Sequence, residues 1–139
     1  MKKISDVMTR DKVLVVSPDQ TIAAAAELMA EADVGSLPVG DNDRLVGMVT
    51  DRDIVLRAVA RGFGAETPVR EVMTDSIKYC YDDQDVGEVA QNMADLGVRR
   101  LPVVNRDKRL VGIVALSNIT HLGDKGSTNT LLEGVATPH

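Results

Sequence analysis

The sequence predicts a mixed α/β (α+β) fold made of two copies of a β-α-β-β-α unit packed face to face. Three observations carry that expectation. Short segments recur at a constant offset: Val7-Met8-Thr9 returns as Val72-Met73-Thr74, Leu37-Pro38-Val39 as Leu101-Pro102-Val103, and Arg44-Leu45-Val46-Gly47-Met48-Val49 as Arg109-Leu110-Val111-Gly112-Ile113-Val114, always 64 or 65 residues apart. Within each copy the apolar spacing alternates between that of a strand and that of a helix. Finally, 139 residues that are 44% hydrophobic and 27% charged suffice for a soluble core, whereas one repeat of roughly 50 to 60 residues buries too little to stand comfortably alone.

The elements follow in order. Val13-Leu14-Val15-Val16 is a short β-branched run closed by Ser17-Pro18-Asp19, a strand and then a turn. From Ile22 the apolar positions are Ile22, Ala25, Ala26 and Met29, the stripe of an amphipathic helix. Leu37-Pro38-Val39 begins the next strand, with Pro38 expected at an edge or start. Gly40-Asp41-Asn42-Asp43 is a turn, and Leu45 to Val49 a further strand. A helix is predicted over 51–61, stopped by Gly62, with Ile54, Val55, Ala58 and Val59 turned inward. In the second copy the helical stripe is Val86, Val89, Ala90 and Met93; Asp85 is the expected N-cap, Glu88 stands three residues later, and Gly97 ends the helix. Residues 1–62 thus hold the first unit with its leading segment, 63–68 a connector and 69–122 the second unit. Residues 123–139, rich in Gly, Ser, Thr and Asn, read as a flexible tail.

Composition narrows the function. Only 2% of residues are aromatic, namely Phe63, Tyr79 and Tyr81, too few for the base-stacking platforms of single-strand nucleic-acid binders. Sixteen Lys+Arg against 21 Asp+Glu give a net charge of −5, which offers no broad cationic surface to nucleic acid or to an anionic membrane. The single cysteine, Cys80, excludes an internal disulfide and fits a reducing compartment. No apolar run approaches the roughly 20 residues that cross a bilayer, so the expected location is cytoplasmic. No Gly-x-Ser-x-Gly, His-Glu-x-x-His or phosphate-loop pattern occurs, and His121 and His139 have no ligand partners at metal spacing. Neither an enzyme nor a metal site is expected.

The leading Val-Met-Thr, the middle Leu-Pro-Val and a Gly-containing strand that runs into Thr50-Asp51-Arg52-Asp53, found twice between about Ile4 and Leu122, resemble the tandem CBS-domain pair, or Bateman module, of stand-alone type. The resemblance implies two CBS motifs about a pseudo-twofold axis and a cleft between them for an adenosine ligand such as AMP, ADP, ATP, NAD or S-adenosylmethionine. It also implies a homodimer and signalling to an unknown regulated protein. The family's Ser/Thr-x-x-Asp motif falls on Thr50 and Asp53. A carboxylate can accept hydrogen bonds from both ribose hydroxyls, and the Thr50 hydroxyl with free amides at the helix start can meet a phosphate. The same two residues also read as a helix cap, and the roles are compatible. Asp51 and Asp53 would meet a Mg²⁺ brought by a nucleotide. Arg99 and Arg100 stand where the family often carries a basic residue toward the phosphates, with Arg52 a weaker candidate; the alternative is solvated arginines on a turn. Val15, Val16, Leu37, Pro38 and Val39 are candidates for the aliphatic grip on adenine, or else simple core.

The second copy departs from the motif. Ala115 and Asn118 replace Thr50 and Asp53, which predicts a weaker or empty second site. Pro102, Tyr79 and Tyr81 are its other candidates, the tyrosines either packing on a base or filling space. The rival reading is a structural homodimer with vestigial sites that uses the 54–59 apolar face.

Overall fold

The computed structural model describes residues 2–11 and 13–120, with Thr120 described in its backbone alone. The chain forms two compact units. One is the continuous stretch Leu14–Ile77; the other joins the leader, up to Val13, to the chain from Lys78 onward. These units are offset from the sequence repeat, which divides the chain into 1–62, 63–68 and 69–122. The flexible-tail expectation for 123–139 lies outside the described residues.

In the continuous unit the predicted strand at 13–16 shrinks to one bridge. Val16 pairs in parallel with Val39, its N–H donating to the Pro38 carbonyl at 3.1 Å and its carbonyl accepting from Gly40 at 2.9 Å. Two prolines explain this. One step back, the ladder needs an N–H from Pro38; one step forward, it needs an N–H from Pro18. Neither has one. Pro38 therefore sits inside its strand rather than at an end, with its nitrogen facing the sparsely paired side.

Helix α1 (Ile22–Ala32) is capped by Thr21, whose hydroxyl accepts from the Ala24 N–H at 3.1 Å. It buries Ile22, Ala25 and Met29, while Ala26, expected inside, is exposed. Strands β1 (Ser36–Asp41) and β2 (Arg44–Thr50) form an antiparallel hairpin. Its turn holds Asn42 and Asp43 at φ 52° and 67°, the two positive values that a type I′ turn requires. Helix α2 covers only Asp51–Arg57; a 3₁₀ turn, Val59–Arg61, and Gly62 at φ 78° complete the predicted span. The helix lays just its 54–58 edge on the core. Ala58 is fully buried, whereas Val55 and Val59, expected inside, are 53% and 65% exposed.

The other unit repeats the plan. Strand β3 (Cys80–Tyr81) runs parallel to β4 (Arg100–Val104), which pairs antiparallel with β5 (Leu110–Ala115). The ladder is longer here because Asp82, at the position of Pro18, has an N–H and donates it to Val104 at 2.9 Å. Helix α3 (Val86–Leu96) buries Val86, Val89, Ala90 and Met93 and stops at Gly97, φ 68°. Asp85 occupies the N-cap position without a side-chain cap bond; its carboxylate takes the Lys3 ammonium at 2.9 Å instead. Helix α4 (Leu116–Thr120) closes the described chain.

The buried side chains fall into two clusters, one in each unit. The leaders supply part of each. Val69 and Val72, which lead the second repeat, are fully buried among Val16, Leu37, Val39 and Val49; Ile4 and Met8, which lead the first, pack with Leu101, Val103 and Val114. Each leader then clasps the last strand of its host: Met48 and Thr74 exchange two backbone hydrogen bonds at 2.9 Å, and Thr9 and Ile113 exchange two at 2.8 and 3.0 Å. Each repeat is thus completed by the other's leader.

Gly47 and Gly112 permit this approach. A Cβ on Gly47 would lie 2.8 Å from the Thr74 carbonyl oxygen and 2.9 Å from the Met73 sulfur; on Gly112 it would meet the Thr9 carbonyl oxygen and the Met8 sulfur, both at 2.8 Å. Because the blocking oxygens are backbone atoms in paired strands, Gly47→Ala is expected to lower stability by about 1–3 kcal/mol, read as an earlier urea midpoint at unchanged slope.

Candidate functional site

The junction from β2 into α2 assembles the motif read from sequence. Thr50 is the N-cap: its Oγ1 accepts from the Asp53 N–H at 3.0 Å, and Asp53 Oδ2 accepts from the Thr50 N–H at 3.0 Å, a reciprocal box. The Asp51 N–H donates to the Gly35 carbonyl at 3.0 Å, and the Arg52 N–H to Asp51 Oδ1 at 2.8 Å. The first three amides of the helix are therefore occupied, and the expectation that free N–H groups there meet a phosphate is corrected. The Asp53 carboxylate keeps more freedom. Only 16% exposed, it directs Oδ1 toward Arg57 Nε at 3.7 Å, beyond hydrogen-bond length, so that oxygen can still accept.

The second junction keeps half of this arrangement. Asn118 Oδ1 accepts from the Ala115 N–H at 2.8 Å, as Asp53 does for Thr50, and the Leu116 N–H donates to the Arg99 carbonyl at 2.8 Å, as Asp51 does to Gly35. Ala115 has no hydroxyl to close the box, and the amide has no charge.

The other sequence-selected residues divide between surface and core. Arg52, Arg99 and Arg100 are exposed, and their side chains have no hydrogen-bond or ion-pair partner among the described residues. Arg100 stands across the strand pair from Ala115, so both arginines belong to the unit of Ala115 and Asn118; the equivalent places beside Thr50 are Gly35 and Ser36. Val16, Leu37, Pro38 and Val39 are buried in the hairpin unit and Pro102 in the other, whereas Val15 is 41% exposed.

Tyr79 and Tyr81 pack on each other edge to face, centroids 5.6 Å apart at 79°. The Arg106 guanidinium lies 4.0 Å from the Tyr81 ring centre and grips Asp83 with two bonds of 2.8 and 2.7 Å; the Lys108 ammonium is 5.6 Å from the Tyr79 ring. A face of Tyr81 is thus already covered by a cation. The hydrogen bond from Tyr81, then that from Lys108, lowers the Tyr79 hydroxyl below the usual phenol range, and the Arg106 bond holds Asp83 below the usual carboxylate range. The sequence pointed to the two tyrosines but not to Arg106, Lys108, Asp83 or Arg57.

Cys80 is 2% exposed, and burial, followed by the nearby Asp82 charge, pushes its thiol up to about 12, far from a reactive thiolate. No group of three or more His, Cys, Asp or Glu among the described residues could hold a metal ion. No helix among them is long and apolar enough to cross a membrane.

Two β-α-β-β-α motifs, each ending in the same strand-to-helix junction, define a class, and the chain belongs to it: this is a CBS-domain protein with two tandem CBS domains, at residues 4–59 and 69–124. It is 44% identical over 119 residues to the CBS domain-containing protein YhcV of Bacillus subtilis (strain 168), covering 86% of this chain and 84% of that one. Among solved structures, CBSX2 in complex with AMP matches with a TM-score of 0.75 at 30% identity over 90% of this chain and 98% of that one. The CBS domain pair of MJ0100, in complex with 5′-methylthioadenosine and S-adenosyl-L-methionine, matches with a TM-score of 0.70 at 26% identity over 90% and 98%.

The box at Thr50 makes a prediction about stability. Thr50→Ala is expected to cost about 1 kcal/mol, the usual loss for an N-cap hydroxyl. Asp53→Asn should cost less, because an amide oxygen can still take the Thr50 N–H as Asn118 takes that of Ala115. Chemical denaturation of the two variants checks the order.

Proposed function

We propose that the chain is a non-enzymatic, cytoplasmic regulatory module that binds an adenosine-containing ligand, of the AMP, ADP, ATP, NAD or S-adenosylmethionine kind, and passes its occupancy to a partner protein. The observation that carries this reading is the largely buried Asp53 carboxylate, fixed by the Thr50 cap through one oxygen and open at the other. A ribose diol supplies the donors that such a group accepts. CBSX2 with AMP, and the MJ0100 pair with methylthioadenosine and S-adenosylmethionine, support the same ligand class. Arg99, Arg100 and Arg52 are the cations proposed for phosphates, and Asp51 with Asp53 would meet any Mg²⁺ carried by a polyphosphate. Val15 is the exposed aliphatic candidate for the base. With no side-chain amine, carboxylate or hydroxyl at Ala115 and a neutral Asn118, the second motif is proposed to bind weakly or not at all.

A ligand regulates only if it prefers one arrangement of the protein over another, and the magnitude of that preference bounds the response. Titration calorimetry with the nucleotide panel tests binding: heat and thermal stabilisation from at least one adenosine ligand at millimolar concentration are expected, and silence from all of them removes the reading. Asp53→Ala should weaken that ligand at least tenfold, roughly the worth of a charge-assisted pair, while Asn118→Ala leaves it nearly unchanged; equal losses would refute the asymmetry between the two motifs.

A second reading, a structural homodimer with vestigial ligand sites, is favoured by a specific feature. Val55, Leu56, Val59 and Phe63 are 53%, 47%, 65% and 40% exposed on one short helix and the turn after it, more apolar surface than a helix normally leaves in water. If that face pairs two copies, light scattering should show a dimer that Val59→Glu converts to monomer. A dimer indifferent to every adenosine ligand would favour this reading over the first.

A further inference from the structure

We infer that Arg57 is a positioning residue that couples Asp53 to the segment by which the chain leaves the continuous unit. Its guanidinium has two sets of neighbours. Nε lies 3.7 Å from Asp53 Oδ1, and Nη1 donates to the carbonyls of Val72 and Met73 at 3.4 and 3.3 Å. The next residue, Thr74, is the one that exchanges two hydrogen bonds with Met48, and Ile77 is the last residue of the unit. One side chain therefore bridges the carboxylate proposed to take the ribose and the leader that the other repeat lends to this core.

The physical basis is the rigidity of the group. Guanidinium nitrogens share a plane, so Nε cannot follow the carboxylate without turning the N–H groups that hold the two carbonyls. Hydroxyl donors arriving at Oδ1 offset part of its charge and weaken the attraction that holds Nε 3.7 Å away. The bonds to Val72 and Met73 then differ between the occupied and empty states, which is the differential contact a ligand needs in order to bias a segment. Among the described residues the second junction shows no equivalent: Asn118 is uncharged, and in the sequence the repeat offset pairs Arg57 with Leu122, whose side chain has no donor. The Thr9–Ile113 pair, identical in bonding to Thr74–Met48, therefore serves as an internal control.

The inference rests on the adenosine reading only where ligand is added, and its test begins without any. Amide hydrogen exchange is measured on the full chain and on Arg57→Gln, Asp53→Asn and the double variant. Arg57→Gln should speed exchange at Thr74 and Met48 roughly three- to tenfold, the worth of a charge-assisted bond lost from a locally opening segment. Asp53→Asn keeps the cap but should speed the same two amides by a smaller factor, and the double variant should exchange no faster than Arg57→Gln alone. Thr9 and Ile113 should hold their wild-type rates throughout, which also reports that each variant is folded. Arg57→Lys, with charge but no planar fork, should restore part of the protection. Additive effects, or wild-type rates at Thr74 and Met48 in Asp53→Asn, overturn the inference. AMP at saturation should then change exchange at these two amides in the wild type; Arg57→Gln, also brought to saturation, should show no such change. The same change in both proteins overturns the coupling, whereas failure of AMP to bind the wild type removes AMP sensing and leaves the ligand-free comparison to decide the role of Arg57.

Discussion

Everything else in this fold depends on a close backbone approach: a leader strand laid across the last strand of a hairpin with no side chain between them. Gly47 and Gly112 make room, and the paired bonds of Met48 with Thr74 and of Ile113 with Thr9 hold the leader there. Only then do Val69 and Val72, or Ile4 and Met8, reach the interior, and without them each core would lack two of its apolar members. The strand that ends in the Thr50 or Ala115 junction is the same strand the leader clasps. Site and scaffold thus share one piece of backbone.

The duplication preserves the scaffold and lets the chemistry drift. Both junctions keep the bond from the strand's final N–H to a side-chain oxygen three residues on, and both anchor the next amide to the carbonyl of residue 35 or 99. These bonds satisfy backbone groups that neither repeat can leave bare. The hydroxyl and the charge, which a helix start can do without, are present in the first copy alone. The aromatic and cationic cluster around Tyr81 and Arg106 belongs to the second.

Much of this was legible in the sequence, for identifiable reasons. The repeat offset revealed the two CBS motifs though not the exchange of leaders between units, the Val86 to Met93 stripe named the buried face of its helix, and Thr50 with Asp53 read correctly as a cap because that bond is local. Non-local effects were hidden. The 13–16 run is β-branched, yet two prolines in different segments deny it a ladder, a fact visible only when Pro18 and Pro38 are placed in register. Val55 and Val59 fit a helical stripe, but burial depends on how wide a face the core offers, and here it is one residue across. The exchange of leaders left one trace, a glycine in the same place in both copies of an otherwise branched strand, and periodicity gives no reason to read a glycine as a docking groove. Arg57 left only a local trace, its i, i+4 spacing from Asp53, since its hydrogen-bond partners are carbonyls fifteen and sixteen residues away.

The division of the chain also sets an order of assembly. The unit 14–77 is complete in one continuous stretch, so during synthesis it can close as soon as its last residues emerge, with Met48 and Thr74 only 26 residues apart. The leader before it must wait for Ile113, about a hundred residues downstream, and closing a longer loop costs more entropy. Until Ile113 is made, Ile4 and Met8 have no strand to pack against and remain exposed apolar side chains. The unit that carries Thr50 and Asp53 therefore closes first, and the other waits on its own last strand.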